Sequence, residues 1–231
     1  TTGSRNTAIG YNATASLNNL DNTTAIGENA TVNASNKIRL GSAAVTEVET
    51  QFSYTTVSDG RFKTDINEQE VKGLAFIKKL RPVVYNFDTK KFQQFLVHNM
   101  PADAQKTYMD RDFSASTAIR QSGFIAQEVE KAAQEVGYGF SGVHKPENAN
   151  DNYSLAYSQF VVPLVKGMQE QQTQIEKQEQ KIEQLQKEKE QQQKINDQLQ
   201  QRLEALEKMI VGNNSSVLTR DALSKPNTGN E

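Results

Sequence analysis

Ser58 and Lys63 stand five positions apart across an Asp59-Gly60 pair, a dipeptide that favours a tight turn. A turn there can swing the lysine amine back toward the serine hydroxyl. A serine served by an uncharged lysine as general base is a known variant of nucleophilic catalysis, and it attacks a nearby carbonyl without histidine. The run 51–57 before the pair reads as a strand, with Phe52, Tyr54 and Thr56 on one face. Taken alone the pair is a weak signal, because most serine–lysine pairs at this spacing are a solvated turn. Its weight comes from the elements around it.

Composition narrows what those elements can be. Of the 231 residues only 35% are hydrophobic and none is tryptophan, so one well-filled core of that length is not expected, and elongated or oligomeric parts are. A formal net charge of −2 gives no overall attraction to nucleic acid or to an anionic membrane surface. With no cysteine, disulfides and thiolate metal sites are excluded. No apolar run reaches transmembrane length, and Thr1 starts in mid-pattern without a leader, so the chain reads as the C-terminal piece of a longer protein.

Three textures follow one another. Residues 1–57 begin with an internal repeat: Thr7-Ala8-Ile9-Gly10-Tyr11-Asn12-Ala13-Thr14 returns 17 residues later as Thr24-Ala25-Ile26-Gly27-Glu28-Asn29-Ala30-Thr31, with a looser copy at Ile38-Arg39-Leu40-Gly41-Ser42. Each unit is expected to bury one aliphatic and turn at its glycine, so rungs must stack and chains must associate. A disordered linker rich in asparagine, threonine and serine is the competing reading. The Asn-x-Ser/Thr triplets at Asn12, Asn29 and Asn33 are read as turn chemistry rather than glycosylation sites.

Residues 58–156 alone read as a globular α+β domain. Val71, Leu74, Ile77 and Leu80 fit one helical face that ends before Pro82. A strand is expected over 83–87, a helix around Phe92, Phe95 and Leu96, loop over 100–116, a strand within 119–125 and a helix from 126 to about 136. The glycines Gly137, Gly139 and Gly142 match a dinucleotide fingerprint literally, but they follow a helix and run into polar loop, so they are read as helix termination. His98 and His144 have no clustered partners, and neither a metal nor a cofactor is expected.

From 157 to 211 an a/d heptad seam dominates. Val161, Met168, Ile175, Ile182, Lys189, Asn196, Leu203 and Ile210 recur every seven residues, with Tyr157, Leu164, Leu185, Leu199 and Leu206 at d. Gln178, Lys189, Gln192 and Asn196 interrupt it with polar side chains that fix register and oligomer state. Such a helix requires self-association. Pro163 should lie near its start, and residues 212–231 are expected to be a flexible tail.

With these parts in order, the run from Tyr54 through Ser58, Asp59, Gly60, Arg61, Phe62 and Lys63 to Ile66 resembles the opening of the intramolecular chaperone domain of endosialidases and phage tail spikes, a domain also present in myelin regulatory factor. Gly73-Leu74, Phe76-Ile77, Lys79-Leu80-Arg81-Pro82-Val83 and Tyr85 continue the likeness, as do Gly123-Phe124-Ile125-Ala126-Gln127-Glu128-Val129 and Tyr157 leading into the long helix. The resemblance covers about 52–175. The Ala-Ile-Gly rungs resemble the left-handed β-roll heads of trimeric autotransporter adhesins.

The resemblance implies a mixed architecture: N-terminal β-roll stalk repeats, a small α+β domain and a long coiled-coil helix, as a parallel homotrimer. It implies that the domain registers a β-structured stalk and then cuts itself off, with Ser58 as nucleophile, Lys63 as general base and Ser58–Asp59 as the favoured bond. Backbone amides near Asp59–Arg61 are the expected oxyanion donors. Assembly is expected to withdraw Lys63 from water, which favours its neutral amine. Its partners are then copies of itself and its own N-terminal stalk, without nucleic acid or membrane insertion, on a phage tail fibre or a bacterial surface. Two other readings stay open: a trimerisation cap that does not cut, and an adhesin tip that binds a receptor through loops at 100–116 or 142–152.

Overall fold

The structure, a computed structural model, describes residues 2–223, and the chain divides after Glu170 into two units. In the first, the repeats form short parallel strands. β1 (Thr7–Ile9), β3 (Thr24–Ile26) and β5 (Ile38–Leu40) stack side by side, with Ile9, Ile26 and Leu40 in register, while β2 (Thr14–Ala15) pairs with β4 (Thr31–Val32). The 17-residue echo is therefore a physical stacking distance. Asn12 and Asn29 adopt φ near 55°, as do Asn22 and Asn36 at the other corner, the left-handed geometry that asparagine tolerates. Asn33 departs from that pattern: its side chain is buried and reaches another part of the protein.

One expectation about the repeat is reversed. Ala25, Ala30 and Val32 fill the interior, whereas Ile9, Ile26 and Leu40 lie on the exposed face. Side chains alternate along a strand, so once Ala25 points inward Ile26 must point out. The small interior admits alanine and leaves the large aliphatics on the outer face. The glycines at the corner are constrained: Gly10 and Gly27 have φ of 125° and 110°, and a Cβ on Gly10 would stand 2.7 Å from the Gly27 backbone. Gly10→Ala is expected to cost about 1–3 kcal/mol and to lower the melting temperature by roughly 5 °C or more, measured by circular dichroism.

No strand forms over 51–57, and every residue there is exposed. Periodicity alone suggested one, but among the described residues no strand pairs with it to take its backbone hydrogen bonds. Beyond this segment the helix expected from Val71 shrinks to one turn, α1 (Leu74–Ile77), whose buried residue is Phe76. The Glu170 carboxylate accepts from Leu74 N at 2.7 Å and caps that turn. Then come β6 (Val83–Asn86), α2 (Thr89–Val97), α3 (Ala102–Met109), α4 (Ser114–Ala118), β7 (Arg120–Gly123) and α5 (Ala126–Glu135). β6 and β7 pair antiparallel. The segment 100–116, expected as loop, contains all of α3 and the start of α4; Tyr108 of α3 is buried with Leu96 and Val97 of α2.

Phe76, Val129, Ala132, Ala133 and Phe160 make the main core. Phe140 bridges it, with ring centroids 4.9 Å from Phe76 and 4.8 Å from Phe160, separations at which offset and edge-on pairs are favourable. Gly137 ends α5 at φ 62°, and the bonds Gly137 N to Gln134 O and Tyr138 N to Ala133 O complete a helix-terminating motif. Gly137 therefore serves as the helix terminator read for it from the sequence.

The following loop carries β8 (Val143–His144) and β9 (Ser154–Leu155), paired antiparallel, and between them Asp151, only 4% exposed. Burial raises its carboxyl, but hydrogen bonds from Lys37, His144 and the Asn152 backbone, with the Lys37 charge, bring it down to about 2. A carboxyl lowered on folding stabilises in full above its unfolded range near 4 and loses that contribution as pH falls toward 2. The gap from 3.8 to about 2 is worth about 2 kcal/mol at neutral pH. Asp151→Asn is expected to forfeit that amount at pH 7 and to flatten stability between pH 4 and 2, read from urea midpoints across the range.

A 3-10 turn, Tyr157–Phe160, leads into α6 (Val161–Leu223). Pro163 sits in its first turn, where helix amides lack internal partners anyway. Within the second unit the heptad positions Ile175, Ile182, Leu185, Leu199, Leu203, Leu206 and Ile210 are all exposed, an apolar seam left open to solvent among the described residues. α6 runs on through Gly212, and residues 224–231 of the expected tail lie outside those described.

Candidate functional site

Asp59-Gly60-Arg61-Phe62 folds into a 3-10 turn over Gly60–Phe62, with Phe62 N bonded to Asp59 O and Lys63 N to Gly60 O. The tight turn expected at Asp59-Gly60 is present, closed by i→i+3 bonds without Gly60 entering the left-handed region. Asp59 caps it. Its carboxylate accepts from Arg61 N at 2.9 Å and from the Arg61 guanidinium at 2.6 and 3.1 Å. The Arg61 side chain, then its amide, hold the Asp59 carboxyl below its ordinary value. This Arg61 clamp was not anticipated, although an acid and an arginine two positions apart across a turn were a visible cue.

The turn brings Lys63 Nζ to 2.7 Å from Ser58 Oγ, with the amine donating. The two residues singled out by spacing therefore meet, at the separation a nucleophile and its base require. In this geometry the lysine donates. For catalysis the bond must reverse, the serine hydroxyl donating to an uncharged amine. Both residues are exposed in the single chain. Of the amides expected as oxyanion donors, that of Arg61 is committed to Asp59, so it cannot serve while the clamp holds.

The pair lies in an apolar neighbourhood that faces solvent. Phe52, Tyr54, Val57, Phe62 and Ile66 flank it and are between 76% and 84% exposed. Five large hydrophobics within fifteen residues thus face solvent in the single chain. The histidines are otherwise engaged: His144 Nε2 pairs with Asp151 at 2.6 Å and His98 Nδ1 with Phe95 O at 2.6 Å. A separate cleft of about 800 Å³ is lined by aromatic rings including Tyr85, Phe92, Phe124, Tyr153 and Tyr157. Ser58 and Lys63 do not line it.

Compared with known protein families, residues 58–138 match the one described as chaperone of endosialidase. The match begins at Ser58, includes Lys63, and bears out the resemblance for that segment as an intramolecular chaperone domain. No curated protein and no solved structure matches the chain.

Proposed function

We propose that this protein is an autoproteolytic assembly chaperone: three chains associate through α6 and the exposed apolar segment around Ser58, register their stacked repeats as a β-roll stalk, and then sever the backbone beside Ser58. The observation that carries this reading is the 2.7 Å contact of Lys63 with Ser58, inside a segment that matches a chaperone family. Residues 1–57 are the client stalk, 58–156 the processing domain and 157–211 the trimerising coil. Parallel strands shared between chains involve non-local contacts and slow registration, and a coil that aligns the chains first removes much of that barrier. The setting is a phage tail fibre or a bacterial surface adhesin.

The chemistry is single-turnover. Neutral Lys63 takes the Ser58 proton, Oγ adds to a carbonyl carbon, and the departing amide nitrogen receives the proton from Lys63. Water then hydrolyses the resulting ester. Proximity can replace about 7–11 kcal/mol of the barrier, because no substrate need be bound from solution. Amides of Asp59 and Gly60 serve the developing oxyanion.

Ring size bears on which bond is cut. Within one chain, attack of Ser58 Oγ on the Val57 carbonyl closes a five-membered ring, whereas attack on its own carbonyl would close a strained four-membered one. The favoured Ser58–Asp59 cut is therefore made between chains, the dyad of one copy acting on the backbone of the next. Such a site is silent in the monomer and active in the assembly. Co-expressing tagged Ser58→Ala chains with wild type tests this: the tagged chains should be cut at the peptide bond just before Asp59. Tagged chains that stay whole inside mixed assemblies that have cut their wild-type members would assign the cut to Val57–Ser58 within one chain.

A further inference from the structure

The repeats do not depend on the peptide link for their position against the processing domain. From Val45 through Ser58 the connecting chain is exposed throughout, and it is not held by any strand pairing. Contacts from other segments fix the repeats instead. Asn33 Nδ2 donates to Asn150 O at 2.7 Å and to Asn152 Oδ1 at 3.1 Å. Lys37 Nζ reaches the enclosed Asp151 carboxylate at 2.9 Å. Arg111, between α3 and α4, donates to Ser42 Oγ at 2.7 Å and to Glu28 at 2.9 Å. Tyr108 OH donates to the Asn12 carbonyl at 2.5 Å, and Arg39 lies over the Phe92 ring at 5.0 Å.

Two properties make these contacts more than incidental surface bonds. Asn33, Ser42 and Asp151 are buried, so separating the two parts leaves desolvated polar groups to be rehydrated and exposes a charge whose partner has gone, the costly case for an ion pair. The partners on the repeat side also come from different rungs: Asn12 after β1, Glu28 and Asn33 flanking β4, and Lys37 and Ser42 flanking β5. They converge only when the rungs are stacked in register.

We infer that loop 143–153 together with Tyr108 and Arg111 forms a docking surface for the folded repeats, and that it keeps them bound to the processing domain after the backbone between them is severed. Cutting then converts one chain into a two-chain unit, and departure of the domain is a second, separate step. The biological part of this inference rests on the cut proposed beside Ser58; the docking itself does not.

The test keeps those apart. A recognition sequence for a site-specific protease is inserted after Thr50 in the full-length Ser58→Ala chain, which cannot cut itself, and the purified protein is cut with that protease. Gel filtration without denaturant should return both pieces in one peak that separates only in urea. With Arg111→Ala added, the pieces should part at least ten times faster on dilution, and adding Asn33→Ala and Lys37→Ala should yield two native peaks. Circular dichroism matching the parent before cutting shows that the variants are folded. Pieces of the Ser58→Ala parent that separate at once in native buffer would overturn the inference, as would a folded triple variant that stays together.

Discussion

Ser58→Ala and Lys63→Ala should each leave the chain whole on a denaturing gel under conditions where wild type is cut, a rate loss of at least about a thousandfold, since removing one member of a nucleophile–base pair removes nearly all that the pair contributes. The informative variant is Lys63→Arg. Arginine can keep a donor near Ser58 Oγ, where Lys63 Nζ now lies at 2.7 Å, but it does not give up its proton in a protein. A merely structural lysine would tolerate the change, whereas a general base would not. For the same reason the wild-type rate should rise with pH, because only the uncharged amine accepts a proton. A rate indifferent to pH between about 6 and 10, or a Lys63→Arg variant cut at the wild-type rate, would remove lysine from the chemistry.

The second large effect is expected from the seam of α6. Ile175 and Ile182 are 44% and 55% exposed in the single chain, and they occupy successive heptad positions where an assembled coil would bury them. Aspartate at both sites places unpaired charges in that core, at a cost of several kcal/mol per ion. Against an assembly already weakened by Gln178, Lys189, Gln192 and Asn196, that is enough to return the chain to monomers at micromolar concentration. The chaperone reading makes cutting depend on assembly, so Ile175→Asp/Ile182→Asp should also remain uncut although Ser58 and Lys63 are untouched. Sedimentation velocity and a denaturing gel on the same sample check both. A monomer that still cuts would separate catalysis from assembly and place the reaction within one chain.

Local features were legible where a local pattern fixes them. The 17-residue repeat gave the stacking register of β1 and β3, the heptads gave α6, and the five-residue spacing across Asp59-Gly60 gave the meeting of Ser58 and Lys63. The misreadings lie where a distant partner decides. Residues 51–57 alternate like a strand but pair with none among the described residues. Ile26 carries the size of a core residue, yet the alternation set by Ala25 turns it outward. The segment 100–116 lacks a clear apolar stripe, because its helix packs mainly through Tyr108. Asn33, Lys37 and Arg111 could not be assigned at all: their partners are 117, 114 and 69–83 positions away, beyond any pattern a linear reading can weigh.

The central claim is that assembly switches on a cut beside Ser58, and the intact mass of freshly assembled wild type under denaturing conditions tests it most directly. Two masses that meet between Ser58 and Asp59, adding up to the whole chain plus one water, with Ser58→Ala giving a single mass, are the predicted result. A stable wild-type assembly showing only the mass of the uncut chain would contradict the claim and leave the domain as a permanent cap on its stalk.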